Sequence, residues 1–291
     1  MSLIGTAREW DAFCTRHNRK NETLGFVPTL GCLHEGHLSL IRKAKEQNDL
    51  VAVSVFVNPT QFGPGEDYEA YPRDIERDHR LATEAGADVV FHPAAEEIYP
   101  RGASTEVEVK GPLTQKLCGA SRPIHFKGVA TVVSILFHII GPDRAYFGQK
   151  DAQQVAVLKK MVRDLHIPVE LVVCPIVREA DGLAKSSRNR YLSPAERQQA
   201  AALYRGLQQA RGYLASVAGG CADAAWLKEM IRAEIQAQPL AEVEYVEILD
   251  SDTLDDIHTV GPEKNALAAV AVRFGKTRLI DNMILTPEIG R

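Results

Sequence analysis

The sequence predicts an α/β protein in which a doubly wound parallel sheet is followed by a smaller α+β domain. Two observations lead to this prediction. Apolar runs of strand length alternate with helical patterns as far as Val173, an order typical of parallel strands joined by helical crossovers. Beyond residue 190 the order changes to long helices followed by strands, which indicates a second domain. A chain of 291 residues is long enough for both.

In the first domain each element follows from its own hydrophobic pattern. Strands are predicted at residues 24–27, 50–57, 88–91, 106–109, 144–147 and 168–173. Helices are predicted at residues 38–47, 74–84, 129–140 and 152–165. Doubly wound sheets bind their ligands at the carboxyl ends of the strands, so we expect the functional site there.

The second domain follows a polar loop at residues 178–190. The segment from Ser193 to Glu196 has the pattern of a capping box with a proline at the first helical position, and it predicts the start of a long helix. A second helix is predicted at residues 224–236, and strands at residues 243–249, 266–274 and 277–284. We therefore expect one domain at residues 1–177 and the other at residues 178–291.

Composition and charge argue against several classes of function. The chain has 45% hydrophobic and 25% charged residues, as ordinary globular proteins do. Its net charge is −4 and its basic residues are interspersed with acids, so we expect no nucleic-acid partner. The absence of a signal-like start and of a membrane-length apolar run predicts a soluble cytoplasmic protein with no membrane partner. Five cysteines without CxxC or framework spacing predict reduced thiols, and we expect Cys32 to be non-catalytic.

The most informative segment is PTLGCLHEGH at residues 28–37. A strand that breaks at a glycine and continues into a helix directs free backbone N–H groups at an anion. His34 and His37 can add two imidazole donors, and Gly36 lets a phosphate approach the backbone. An isolated HxxH pair is more often a surface or metal pair, but no third ligand follows at zinc-like spacing. The segment therefore predicts a nucleotide phosphate site.

Two further segments have side chains suited to an acid substrate. Asn58 and Gln61 follow a predicted strand, and their carboxamides can orient a small hydroxy acid. Arg122 and His125 precede an apolar helix, where an anion can dock. Taken singly, each segment could equally be an ordinary turn.

Another two segments are suited to phosphates. Gly148 to Asp151 repeats the order of strand, glycine and helix, so that Lys150 can neutralise phosphates, with Gln154 one turn further along. The loop KSSR at residues 185–188 offers hydroxyl, amide and guanidinium groups that can clamp a triphosphate. A surface helix start and an exposed basic linker remain the alternatives for these two.

Taken together, the segments resemble the pantoate–β-alanine ligase family. The segments PTLGCLHEGH, VNPTQFG, DYEAYPRD, RPIHFKGVATVV, YFGQKDAQQ and GLAKSSRNRYLS occur in that family's order and extend over most of the chain. The family belongs to the nucleotidyltransferases with an HxGH signature and a KMSKS-like loop. The resemblance implies a Rossmann-like amino-terminal domain, a smaller carboxy-terminal lid and a homodimer. It also implies condensation of pantoate with β-alanine through a pantoyl adenylate, with MgATP as co-substrate.

The resemblance also implies roles for individual residues. His37, His34 and Lys150 are matched to catalytic roles, and Asp78 to a ligand of the Mg²⁺ that accompanies ATP. The residues matched to ATP binding are Leu30, Gly31, Cys32, Leu33, His34, Glu35, Gly36, His37, Gly148, Gln149, Lys150, Asp151, Val177, Lys185, Ser186, Ser187 and Arg188. Those matched to pantoate or β-alanine are Gln61, Gln154, Asn58, Arg122 and His125.

The chain departs from the family at two positions, since many members have methionine where it has Leu30 and Lys185. Leu30 keeps a similar apolar volume, whereas Lys185 adds a charge beside the serines that could strengthen triphosphate binding. The nearest alternative function is another HxGH nucleotidyltransferase, and Gln61 with Gln154 favours a small hydroxy acid over a second nucleotide. A non-catalytic nucleotide-binding protein is disfavoured because His37, Lys150 and the serine pair are all present.

Overall fold

The computed structural model describes residues 2–17, 21–66, 68–263 and 265–285. The chain forms two compact units. The first runs to Thr114 and resumes over Cys118–Pro175, and the second takes in Gln115–Leu117 and continues from Ile176. Of the predicted second domain, residues 286–291 lie outside the described part of the chain.

The first unit is built on a six-stranded parallel sheet. Its strands are β1 (Ser2–Ile4), β2 (Leu24–Thr29), β3 (Leu50–Val55), β4 (Val89–Phe91), β5 (Arg144–Gly148) and β6 (Glu170–Cys174). They lie in the order β1-β4-β3-β2-β5-β6, so the winding reverses between β2 and β5. In open α/β sheets the ligand crevice opens at the carboxyl ends of the strands at such a reversal.

Helices cover both faces of this sheet. They are α1 (Ala7–Arg16), α2 (Glu35–Gln47), α3 (Ile75–Glu84), α4 (Ala95–Ile98), α5 (Cys118–Ser121), α6 (His125–Ile140) and α7 (Ala152–Asp164). Phe26 packs with α1, α6 and α7 on one face, and the next residue, Val27, packs with α2 and α3 on the other. This alternation along a strand buried on both sides explains why the strands are nearly continuous apolar runs.

The second unit has its own core around a three-stranded antiparallel sheet. Its helices are α8 (Pro194–Ala200), α9 (Ala202–Ser216) and α10 (Ala224–Gln236). Its strands are β7 (Ala222–Asp223), β8 (Ala241–Asp250), β9 (Thr259–Val260), β10 (Ala266–Phe274) and β11 (Thr277–Leu285). The sheet order is β11-β10-β8, and β7 pairs separately with β9. The predicted fold class is confirmed.

Several element predictions were wrong in detail. Residues 106–109 form no strand, because Val107 exchanges its backbone hydrogen bonds with the Thr131 hydroxyl of α6 instead of with a neighbouring strand. Helix α2 begins at Glu35, three residues before the predicted start, and α6 begins at His125, four residues before it. The early turns of both helices contain glycine and histidine, whose low helix propensity hides the start in the sequence.

The N-terminal strand β1 and helix α1 were not predicted. Strand β1 has only three residues, which is too short for a periodic signal, and it gains its partner by pairing with β4. Helix α1 is capped by Thr6 and Glu9, whose side chains and backbone exchange hydrogen bonds. No helix in the described ranges is both long and apolar enough to cross a membrane. The five cysteines, all in described positions, are thiols.

Candidate active site

The loop after β2 is held open by a buried carboxylate. Gly31 and Cys32 adopt left-handed conformations, with φ of 87° and 52°, so that the next backbone N–H groups turn to one side. The N–H groups of Cys32 and Leu33 donate to the two oxygens of Asp78 at 2.7 and 2.8 Å. Asp78 is only 1% exposed. This carboxylate therefore fixes the shape of the loop.

That geometry speaks against the predicted role of Asp78 as a metal ligand. Both of its oxygens are taken up by backbone donors, and Arg77 lies 3.5 Å away. Among the described residues, no three His, Cys, Asp or Glu side chains are grouped so that they could hold a metal ion. The sequence missed the structural role because the loop and Asp78 lie more than 40 residues apart, a separation that leaves no local pattern.

His34 and His37 cap the start of α2 instead of lying together within its first turn. The Nδ1 atom of His34 accepts from the Gly36 N–H at 3.1 Å, and Nδ1 of His37 accepts from the His34 N–H at 3.3 Å. Their ring centroids are 4.1 Å apart. Since each Nδ1 accepts, the proton of each neutral ring is on Nε2. The pair therefore presents Nε2–H donors.

Electrostatics keep His37 neutral. Burial, with further contributions from His34 and the Lys150 ammonium, lowers the pKa of His37 to about 3. A protonated ring would also lose the backbone hydrogen bond that Nδ1 accepts. At neutral pH His37 is thus a hydrogen-bond donor without a net charge, and an anion placed between His37 and Lys150 would relieve the unfavourable field of Lys150.

Lys150 reaches this region from the other side of the sheet reversal. It lies in a short 3₁₀ turn after β5, as the histidines lie after β2. Its side chain is 21% exposed, with the Asp151 carboxylate 4.0 Å from its ammonium. A Cβ added at Gly148 would meet no atom within 4 Å, so open space adjoins the end of β5. Helix N-termini, two imidazole donors and an ammonium thus surround the crevice that the strand order predicts.

Gln61 lies in the 3₁₀ turn Pro59–Gln61 that follows β3, the strand paired with β2, and its orientation is fixed by Asn58. The Asn58 oxygen accepts from the Thr60 N–H at 3.3 Å, and its Nδ2 donates to Gly128 O at 3.1 Å and to Gln61 Oε1 at 3.2 Å. The two backbone partners leave Asn58 only one orientation, so Gln61 turns its amide nitrogen away from Asn58. No group in the described part of the chain accepts from that nitrogen. Asn58 is fully buried, and it acts on Gln61 instead of facing a ligand.

Two adjacent glutamines on α7 have different roles. Gln153 is buried, and it accepts from the Cys118 N–H at 2.9 Å and donates to Leu113 O at 3.0 Å. Gln154 is half-buried, and no described group takes up its carboxamide. Only Gln154, the predicted substrate residue of the two, is available to a ligand.

Arg122 is neutralised by a partner that the sequence did not reveal. Its guanidinium donates to both oxygens of Glu66, at 2.7 and 2.6 Å. Burial would raise the pKa of Glu66, but the hydrogen bonds and charge of Arg122 outweigh it and lower that pKa. His125 donates Nδ1–H to Gln61 O at 3.0 Å, and burial beside Arg122 lowers its pKa to about 4. His125 thus presents Nε2 as an acceptor, the reverse of His34 and His37.

The predicted KSSR loop belongs to the second unit and is described there by itself. Lys185 N–H donates to Val177 O at 2.9 Å, so these two predicted nucleotide-site residues are paired. The Lys185 ammonium lies 3.6 Å from the Glu179 carboxylate, which offsets its charge. The Ser186 hydroxyl caps a 3₁₀ turn, Ser187–Tyr191, by accepting from the Arg188 N–H at 3.3 Å. The loop is therefore ordered and not a flexible linker.

The remaining predicted nucleotide-site residues occupy the same two strand-to-helix segments of the first unit. Leu30, Cys32, Glu35 and Gln149 are half-buried, whereas Gly31 and Leu33 are buried. A Cβ at Gly36 would lie 2.9 Å from the His34 ring, so glycine is needed there for the ring to cap the helix.

Comparisons with known proteins agree on one family. A family model described as pantoate-beta-alanine ligase matches residues 2–284. A pantothenate synthetase of Heliobacterium modesticaldum is 55% identical over 285 residues, which cover 98% of this chain and 99% of that protein. One of Thermotoga petrophila is 53% identical over 286 residues, covering 98% and 100%.

Solved structures agree with the sequence comparisons. Pantothenate synthetase from Thermus thermophilus matches with a TM-score of 0.91 at 47% identity, covering 99% of this chain and 100% of that one. A pantoate-beta-alanine ligase from Francisella tularensis, complexed with beta-gamma ATP and beta-alanine, matches with a TM-score of 0.79 at 34% identity and covers 98% of both chains.

Proposed function

The chain belongs to the pantoate–β-alanine ligase family, and we propose that it joins pantoate to β-alanine with ATP through a pantoyl adenylate. The observation that carries this proposal is the meeting of His37 and Lys150 at the reversal of strand order, beside two glutamines with available carboxamides. These groups support a proposal in which the two basic side chains bind phosphates and the two glutamines bind a small hydroxy acid.

The reaction has two steps. A carboxylate oxygen of pantoate attacks the α-phosphorus of ATP, the bond to the β-phosphate oxygen breaks, and pyrophosphate leaves. The amine of β-alanine then attacks the acyl carbon, loses a proton, and releases AMP with the oxygen that bridged carbon and phosphorus. No covalent bond to the protein forms. In-line positioning and charge neutralisation are therefore the protein's main tasks.

We assign the phosphates to His34, His37 and Lys150. The Nε2–H groups of the two histidines donate to phosphate oxygens, and Lys150 offsets the charge that develops as pyrophosphate leaves. His37 is neutral in the free protein, so it serves as a hydrogen-bond donor in the transition state and not as a preformed acid. A neutral donor of this kind favours transition-state stabilisation over proton donation as the role of His37.

We assign pantoate to Gln61 and Gln154. The amide nitrogen of Gln61, aimed by Asn58, donates to a pantoate oxygen, and Gln154 supplies a second polar contact. Since Arg122 is paired with Glu66, it contributes less charge to an anion than the sequence suggests. Its charge adds to burial in lowering the pKa of His125, which keeps that ring neutral. His125 Nε2 is then an acceptor for the β-alanine amine.

Val177 and the Lys185–Arg188 loop are proposed to bind ATP as well. Residues 1–177 are proposed as the nucleotide- and pantoate-binding domain, and residues 178–291 as the domain that carries the loop. We expect Mg²⁺ to arrive bound to the ATP phosphates, since both Asp78 oxygens accept from backbone N–H groups. We also propose that the protein forms a homodimer and acts in the cytoplasm.

The test is pyrophosphate release from ATP, Mg²⁺ and D-pantoate, followed by addition of β-alanine. Release that requires pantoate, and AMP with pantothenate that require β-alanine, are expected. His37→Ala should slow adenylation about 100-fold or more, the scale of losing a transition-state donor. His258→Ala is the matched control, because His258 is exposed on the second unit and has no role in the proposed chemistry. Absence of pantoate-dependent turnover would redirect the assignment to another acceptor at the same nucleotide site.

A further inference from the structure

The second unit contains a buried ion pair that no part of the proposed chemistry uses. Arg178 donates to the two oxygens of Asp281 on β11 at 2.6 and 3.0 Å. The Asp281 side chain is 0% exposed and that of Arg178 is 18% exposed. The two residues are 103 positions apart in the chain. The contact therefore joins the hairpin at residues 178–184, which precedes the KSSR loop, to the last described strand of the unit.

The guanidinium is fixed on every side. It also donates to Gly182 O at 3.0 Å and to Asn282 O at 3.4 Å, and it stacks on the Tyr204 ring at 4.2 Å from the ring centroid. A planar fork with several donors in set directions determines orientation, which a lysine ammonium cannot do. The pair therefore fixes the orientation of the Arg178 side chain relative to β11 as well as its distance from that strand.

The same hairpin leads directly into the KSSR loop. Arg178 bridges Ala184 across the hairpin, and Glu179 N–H donates to Leu183 O at 2.8 Å. Gly182, with φ of 93°, closes the turn so tightly against α9 that an added Cβ would collide with the Tyr204 ring. Lys185 follows at once, paired with Val177. Any rotation of Arg178 would thus be transmitted to residues 185–188.

We propose that Arg178 and Asp281 are positioning residues that hold the KSSR loop in the arrangement that binds the ATP triphosphate. This inference rests on the proposed function of the loop. A buried ion pair is seldom the most stable choice, because well-packed apolar residues of similar volume often serve folding equally well. What the pair supplies is a fixed direction for the hairpin.

The first variants remove the pair while preserving the fold. Arg178→Met removes the cation that faces the buried Asp281 carboxylate, and Asp281→Asn removes the anion that faces the Arg178 guanidinium, so both should lower the melting temperature. The double variant removes both charges, and its melting temperature should recover toward the wild-type value. Asp281→Asn keeps an oxygen for the Asn282 N–H, which donates to Asp281 at 2.7 Å.

Steady-state kinetics then separate positioning from stability. The KM of the double variant for ATP should be about tenfold or more above the wild-type KM. A misplacement of the loop by about 1 Å can cost that much. Its KM for pantoate should stay within about twofold, because the pantoate residues lie in the first unit. A double variant with wild-type melting temperature and wild-type KM for ATP overturns the inference.

A second variant keeps the test decisive if the double variant folds poorly. Arg178→Lys retains the charge but not the fork, so it should fold and still raise the KM for ATP. A folded Arg178→Lys protein with unchanged KM overturns the inference as well. The matched control is Arg197→Met, which breaks the exposed pair with Asp181 at the hairpin tip and should leave the KM for ATP unchanged.

Arg188→Met distinguishes the proposed role of the loop in ATP binding from the positioning role of Arg178 and Asp281. If it leaves the KM for ATP unchanged while pantoate-dependent pyrophosphate release continues, the proposed role of the loop is wrong, and the positioning inference falls with it. If Arg188→Met raises the KM and Arg178→Lys does not, only the positioning inference is wrong.

Discussion

Replacing Gly36 with alanine separates the placement of His34 from the stability of α2. An added Cβ would lie 2.9 Å from Cε1 and 3.0 Å from Nδ1 of the His34 ring. Carbon atoms pack without strain at about 3.5–4.0 Å, so the ring must retreat by roughly 0.6 Å or more. The hydrogen bond from the Gly36 N–H to Nδ1 is then broken, and the Nε2–H donor turns away from the crevice.

The two effects on stability largely cancel. Loss of an N-cap costs about 0.5–2 kcal/mol, whereas alanine is favoured over glycine in a helix by about 1 kcal/mol. Loss of a hydrogen bond to a charged phosphate costs about 1.5–3 kcal/mol, which weakens ATP binding by about 10- to 160-fold. Gly36→Ala should therefore bind ATP poorly while its free energy of unfolding changes little.

The assay is calorimetric titration with a non-hydrolysable ATP analogue, together with denaturant unfolding. Gly212→Ala is the matched control, because Gly212 is an exposed helical glycine whose added Cβ would meet no atom within 4 Å. It should stabilise the protein by up to about 1 kcal/mol and leave the affinity unchanged. A Gly36→Ala affinity within about twofold of wild type would refute the role given to His34.

Three further predictions concern the same crevice. Gly148→Leu should fold normally but raise the KM for ATP, since its side chain would enter open space at the end of β5; a normal KM would place the nucleotide elsewhere. Asp78→Asn should lower the melting temperature and weaken ATP binding, because one backbone N–H loses its acceptor. A change in Mg²⁺ dependence alone, with no loss of stability, would instead restore the metal role. The pKa values of His37 and His125 are about 3 and 4 in the folded protein, below the ordinary value of 6.5, so at intermediate pH only the unfolded chain binds protons at these rings. The free energy of unfolding should therefore fall as the pH drops from about 6.5 to these folded pKa values, by up to about 1.4 kcal/mol per histidine and pH unit. In acid denaturation series, His37→Asn should reduce that slope, and an unaltered slope would contradict the assigned pKa.

Periodicity in the sequence predicted the elements whose pattern is complete within a single segment. Helix α10 and strand β10 have the predicted bounds, Ala224–Gln236 and Ala266–Phe274. Segments whose structure depends on distant partners were not predicted. Strand β1 exists only through β4, and Val107 is held by Thr131 of α6 instead of by a strand.

The candidate site also contains residues that a single segment reveals and residues that depend on distant partners. The glycines and histidines of residues 31–37 carry local backbone and capping information, so they could be found from the sequence. The partners that arrange the site could not, because Glu66 is 56 residues from Arg122 and Asp281 is 103 residues from Arg178. Two adjacent glutamines are equivalent as a pattern, and only the contacts of Gln153 with Cys118 and Leu113 show which of them is taken up by the fold.

The most direct test of the proposed chemistry follows an oxygen atom. Pantoate labelled with ¹⁸O in its carboxylate is converted with ATP, Mg²⁺ and β-alanine, and the AMP is analysed by mass spectrometry. Attack of the carboxylate on the α-phosphorus predicts AMP that carries one oxygen from pantoate. Unlabelled AMP, or label in inorganic phosphate accompanied by ADP, would contradict the adenylate and with it the roles given to His37 and Lys150.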